Sequence, residues 1–173
     1  AYQLLKRDVH VKLVEMKPLK YTEAHKNPNF AELVCSNSLK SNDPTTAGGL
    51  LKEELRLLDS LVIKCADKCS VPAGSALAVD REQFSEMVTQ ELKKFPNLTI
   101  ENMEVTKINK DDNVIIATGP LTSQGLMKSL GELLGEEYLY SIEKKTYEYL
   151  DSITDDMLYE KPEQCRYTRM ELV

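Results

Sequence analysis

Cys35 lies in the run Phe30-Ala-Glu-Leu-Val-Cys-Ser-Asn-Ser-Leu39, where two hydroxyls and a side-chain amide follow the thiol within three residues. The thiolate is the nucleophilic form of cysteine, and neighbouring donors stabilise it. Cys35 is therefore the leading candidate for nucleophilic or acid–base work. Two further features suit ligand binding. Glu15 ends an apolar segment, and Ala117-Thr-Gly119 ends another. Glycine at such a tip lets backbone approach a ligand closely.

These residues need elements to hold them. Ala1–Arg7 has helical composition without an N-cap, and reads as the end of a helix. Val9–Val14 alternates apolar and polar before a continuous apolar pair, a strand pattern. Helix end, turn, strand and acid at the strand tip make the second half of a βαβ unit. In dinucleotide-binding units an acid in this place accepts hydrogen bonds from ribose hydroxyls. The usual partner of that acid is a glycine-rich turn, and no G-x-G-x-x-G occurs in the sequence. Gly48-Gly49 instead starts a helix over 50–58, with Leu50, Leu51, Leu55 and Leu58 as its apolar stripe.

Further along, part of 31–39 is expected to be a short helix, and 61–69 another helical segment. Ala76–Val79 reads as a strand, and Asp80-Arg-Glu-Gln83 as a capping box opening a helix to about Lys94. Phe84, Met87, Val88 and Leu92 form that helix's buried face. Strands are expected at Leu98–Ile100, Val105–Ile108 and Val114–Ala117, then a helix from about Leu121 to Leu134. In open α/β sheets ligands bind at the carboxyl ends of the strands, so Glu15 and Ala117–Gly119 are both expected at the edge where a nucleotide would lie. The alternative for the second is a plain strand-to-helix turn. From 141 to 173 an acidic, tyrosine-rich and mostly helical tail is expected.

Composition narrows the functions. At 173 residues with 42% hydrophobic content, the chain can bury one ordinary core. Twenty-eight acids against twenty-two bases give a net charge of −6, which disfavours strong nonspecific binding to nucleic acid while leaving room for a local basic patch. No apolar run reaches membrane-spanning length, and no leader with a cleavage site is visible. The four cysteines, Cys35, Cys65, Cys69 and Cys165, therefore read as reduced and cytosolic. Cys65 and Cys69 share a helix face, but His10 and His25 are remote, so two small buried residues are expected rather than a zinc site.

Several blocks, in order, resemble one family: the folate- and FAD-dependent tRNA (uracil-5-)-methyltransferases of bacteria. They are Val11-Lys-Leu-Val-Glu-Met-Lys-Pro18, the Phe30–Leu39 run, Gly49-Leu-Leu-Lys-Glu-Glu54, Val71–Gly74 with Ala76–Arg81, Ile116–Ser123 and Gly135–Tyr140. The resemblance covers about residues 1 to 140. It implies a glutathione-reductase-like FAD-binding domain of Rossmann type over 1–140, incomplete at its N-terminus, followed by a divergent tail over 141–173.

The resemblance also implies the chemistry. A one-carbon unit passes from 5,10-methylenetetrahydrofolate to C5 of the T-loop uridine of tRNA. Reduced flavin supplies reducing equivalents, with NAD(P)H as reductant, in the cytoplasm and without metal or membrane. Uracil C5 becomes reactive when a nucleophile, usually a thiolate, adds at C6, and the base must be exposed to reach the pocket. Cys35 matches the family's functional cysteine. Glu15 matches the adenosine-ribose acid, and Met16, Lys17, Ser36, Asn37, Ala117, Thr118 and Gly119 fall in the cofactor-binding blocks. The family's first strand and pyrophosphate loop would precede Ala1, so the chain reads as a fragment expected to bind FAD poorly and to be inactive alone. The alternatives are a non-catalytic binding module of that family and another FAD-linked oxidoreductase.

Overall fold

In the computed structural model, which describes residues 1–109, 111–119 and 121–134, the alternating segment after a single helical turn, α1 (Tyr2–Leu5), becomes β1 (Val11–Glu15). Glu15 is its last residue, as the sequence implied. By packing, the chain divides into two units, Ala1–Asn102 and Met103–Val173. The first contains β1, β2 (Ser38–Ser41), α2 (Ala47–Leu57), α3 (Leu61–Lys68), β3 (Ser70–Val71), β4 (Ala76–Val79), α4 (Arg81–Lys93) and β5 (Leu98–Asn102). In the second, the described helix is α5 (Gln124–Leu134). The expectations for 141–173 lie outside the described residues.

The architecture is α/β, as expected. β1 and β5 form a parallel pair in which Val11 faces Leu98 and Glu15 faces Asn102. A second sheet, in the order β2-β4-β3, is antiparallel. Parallel strands need a crossover between them, and α2, α3, β4 and α4 lie within it.

The core forms where α3 and α4 meet β4. Leu61, Cys65, Ala66 and Cys69 pack with Leu77, Val79, Phe84, Val88 and Leu92, and Leu5 of α1 closes one side. Asp80 caps α4, its carboxylate accepting from the N–H groups of Glu82 and Gln83. That cap, the start of α4 and the burial of Phe84, Val88 and Leu92 follow the sequence pattern, while Met87 is only partly buried and Ser85 and Thr89 are buried instead.

Three expectations are corrected. The stretch 31–39 is not helical: Ala31 has a left-handed φ of 53° and the chain enters β2 at Ser38. A left-handed residue cannot continue a right-handed helix. No strand forms at 105–108 or 114–117. A strand needs a partner for its ladder, and neither segment has one among the described residues; Val114, Ile115 and Ile116 are exposed. Finally, α2 is rotated from the expected orientation. Gly49 and Lys52 face inward, while Leu50, Leu51 and Leu58 are exposed. Gly49 packs so tightly on the turn at Asp43 that a Cβ there would come within 1.8 Å of the Asp43 carbonyl oxygen. That close approach sets which face of the helix turns inward.

Candidate cofactor and thiol site

β1 and β5 are parallel, so their carboxyl ends share one edge, the edge where open α/β sheets bind ligands. Glu15 and Asn102 stand opposite each other there. Glu15 is half-buried, and its Oε1 accepts from the Lys17 N–H at 3.0 Å. The Asn102 side-chain amide donates to the Glu15 carbonyl at 3.5 Å and to the Lys17 carbonyl. The strand tip Glu15-Met16-Lys17 is therefore held by its own turn and by the neighbouring strand. Asn102 was not legible as a site residue; only the β1–β5 register reveals it.

Lys17 is only 5% exposed. Its ammonium donates to the Asn29 carbonyl at 2.7 Å and lies 3.5 Å from Glu32 Oε2. Burial directs this side chain into the protein, leaving its backbone at the strand tip. Glu32 Oε1 accepts from the N–H groups of Lys26 and Asn27, each at 2.9 Å. The Asn27 side chain then accepts from Asn29 N–H and donates to Ser85 Oγ, and Phe30 N–H donates to Thr89 Oγ1. The loop after β1 is thus tied both to Lys17 and to α4. No local sequence pattern flags Glu32, because its lysine partner lies 15 residues away.

Cys35 follows this tied loop and is half-buried. It is disulfide-bonded in the structure, which departs from the reduced reading for this cysteine though not for Cys65 and Cys69, so chemistry at this sulfur requires its reduced form. Ser36 Oγ accepts from Ser38 N–H at 3.1 Å, closing a local turn. Asn37 is bonded through side chain and backbone to Val79 at the end of β4. Cys35, Ser36 and Asn37 therefore sit on a segment fixed at both ends.

Cys65 and Cys69 are free, buried thiols. Burial, with Glu91 and Cys69 adding to it, pushes the Cys65 thiol up to about 11, and burial also raises Cys69. Both are held in the unreactive protonated form at neutral pH. Among the described residues no group of three or more His, Cys, Asp or Glu side chains could hold a metal. No described helix is long and apolar enough to cross a membrane.

Ala117, Thr118 and Gly119 belong to the second unit and are exposed. Gly119 adopts a φ of 68°. The Thr122 hydroxyl donates to its carbonyl at 3.0 Å and lies 2.6 Å from Thr118 Oγ1. In that unit Gly125 of α5 lies against Thr106, and Ile108 N–H donates to Ser129 Oγ at 3.3 Å.

Comparison with known proteins adds a family to this geometry. The profile of the family described as "Glucose inhibited division protein A" matches residues 1–157. Curated relatives named methylenetetrahydrofolate--tRNA-(uracil-5-)-methyltransferase TrmFO are similar over 140 residues, or 81% of this chain and 32% of each relative. Identity is 59% for Bacillus subtilis (strain 168), 57% for Bacillus licheniformis and 56% for Bacillus cereus (strain Q1). The chain thus spans about a third of the length of the curated relatives it matches.

Proposed function

The chain belongs to the glucose inhibited division protein A family, and on that footing we propose that it forms the FAD-binding part of a folate-dependent tRNA (uracil-5-)-methyltransferase. The observation that carries this reading is the placing of Glu15 at the carboxyl edge of the parallel β1–β5 pair. From there Lys17 leads into the tied loop that bears Cys35.

The residues fit the ribose end of a dinucleotide. A half-buried carboxylate at a parallel strand tip suits a ribose diol, and the Asn102 amide holds the tip's carbonyls in place. The sequence contains no glycine-rich diphosphate loop, so the fit extends only to the remaining contacts. Bound FAD would supply the reducing equivalents that turn a one-carbon unit from 5,10-methylenetetrahydrofolate into a methyl group, with NAD(P)H as reductant.

Within that reading, Glu15 accepts hydrogen bonds from the ribose hydroxyls, while Met16 and the Lys17 backbone shape the strand tip. Ser36 and Asn37 set the segment that carries Cys35. In its thiolate form Cys35 adds to C6 of the T-loop uracil or moves a proton beside it. Ala117, Thr118 and Gly119 offer exposed backbone for close approach to the cofactor. The setting is cytoplasmic and the partner is tRNA.

The ribose contact is tested with Glu15→Ala in the flavin-binding protein. A lost charge-assisted hydrogen bond is worth roughly 1.5–3 kcal/mol, so FAD affinity measured by flavin fluorescence is expected to fall by about tenfold or more. Unchanged affinity removes Glu15 from the cofactor site. Cys35→Ser is expected to abolish tRNA methylation with flavin still bound, and retained turnover would exclude Cys35 from the chemistry.

A further inference from the structure

We propose that Lys17 and Glu32 form a positioning clasp that fixes the Cys35 segment relative to the acid tip of β1. The proposal deepens the function above and rests on it only where methyl transfer is concerned.

Lys17 is bonded in two directions. Its backbone N–H reaches Glu15 Oε1 at 3.0 Å, and its carbonyl accepts from Asn102 on β5. Its buried ammonium reaches the Asn29 carbonyl at 2.7 Å and Glu32 Oε2 at 3.5 Å. Glu32 is likewise divided: one oxygen faces Lys17, and the other gathers the N–H groups of Lys26 and Asn27 at 2.9 Å. One residue thus joins the strand tip to the loop, and one carboxylate folds the loop back on itself. Glu32 lies three residues before Cys35 and directly after left-handed Ala31.

A buried ion pair contributes little net stability compared with apolar side chains of similar volume, because desolvation offsets the attraction. What this pair contributes is the selection of one arrangement. The side-chain exposures of 5% and 14% place both charges away from water. Removing either one leaves the other buried without its counter-charge and the loop without its closing acceptor or donor. A loop released in this way alters the surroundings of Cys35 without touching its thiol.

The test uses the reduced protein, alkylated with iodoacetamide over time and read by peptide mass spectrometry. Buried Cys65 and Cys69 serve as the internal gauge of folding. Glu32→Gln, Lys17→Met and the double variant are each expected to change the Cys35 alkylation rate several-fold, the double no more than either single. Cys65 and Cys69 should stay protected. Unchanged Cys35 alkylation in both single variants overturns the clasp.

The unmutated protein gives an independent reading should a variant fail to fold. The Lys26 and Asn27 amides are expected to exchange slowly with deuterium, and exchange at open-loop rates overturns the proposal. Methylation separates this inference from the function it rests on. If the clasp variants shift alkylation while Cys35→Ser retains tRNA methylation, the clasp stands and the assignment of Cys35 to the reaction falls. If Cys35→Ser abolishes turnover and the clasp variants move neither readout, the clasp falls and the assignment stands.

Discussion

Asn37 and Val79 exchange two hydrogen bonds: the Asn37 side-chain amide donates to the Val79 carbonyl at 3.2 Å, and Val79 N–H donates to the Asn37 carbonyl at 2.9 Å. Val79 is fully buried at the end of β4, and Asp80, the cap of α4, follows it. A residue two positions after Cys35 is thereby fastened to the central strand of the antiparallel sheet and to the start of a core helix.

Asn37→Ala should remove one of these bonds and leave a buried carbonyl without its partner, which costs about 1–3 kcal/mol. Asn37→Asp should cost at least as much, since an ionised carboxylate cannot donate to a carbonyl and repels it. Urea unfolding of the two variants checks the order. An Asp variant clearly more stable than Ala would show that the side-chain donor is not what holds this contact.

Gly49→Ala tests whether close packing outweighs helix propensity. In an open helix the change would stabilise by about 1 kcal/mol. Here the new methyl would come within 1.8 Å of the Asp43 carbonyl oxygen, which belongs to backbone and cannot swing aside. Overpacking should prevail, for a net loss of about 1–3 kcal/mol. A thermal midpoint raised by this substitution would disprove the packing account of α2.

The same helix shows what the sequence conceals. Its stripe of Leu50, Leu51, Leu55 and Leu58 follows helical spacing, yet the inward face carries Gly49 and Lys52. The Lys52 ammonium finds acceptors in the Ser41 and Gly48 carbonyls, and burial lowers its pKa. No periodicity reveals where a lysine will find acceptors. Asp80 was legible because its cap is made with the next three residues, whereas Glu32 acts on Lys17 across 15 residues. Glu15 was legible as a strand end, but Asn102 opposite it required the register. The apolar segments at 105–108 and 114–117 look like strands, yet neither finds a partner strand among the described residues. Cys35 stood out by composition alone, and the bonds that hold its segment lie in Glu32, Asn37 and Val79.

Lys40 adopts a left-handed φ of 69° at an irregularity in the pairing of β2 with β4. For a residue with a Cβ this conformation costs roughly 1–2 kcal/mol. Glycine removes that cost and restores about 0.4–1 kcal/mol of unfolded-state entropy. Lys40→Gly is therefore expected to be neutral or stabilising by up to about 1 kcal/mol, while Lys40→Val should destabilise. Denaturant midpoints compare the pair, and a destabilising glycine would show that the Lys40 side chain itself stabilises the fold.

Cys65 links stability to alkaline pH. Its thiol is pushed from an ordinary value of 9.0 up to about 11, first by burial and then by Glu91 and Cys69. Between these values the folded protein keeps a proton that the unfolded chain has released, so the unfolded state gains relative to the folded one as pH rises. The contribution of this group is fully present below about pH 9 and is lost progressively as pH climbs towards 11. Cys65→Ala should lower stability at neutral pH by leaving a small cavity, yet flatten the decline above pH 9. Unfolding free energies measured at several pH values in both proteins supply the comparison. Equal slopes in the two would mean that the alkaline loss comes from other groups and that Cys65 ionises in the folded state as it does in the open chain.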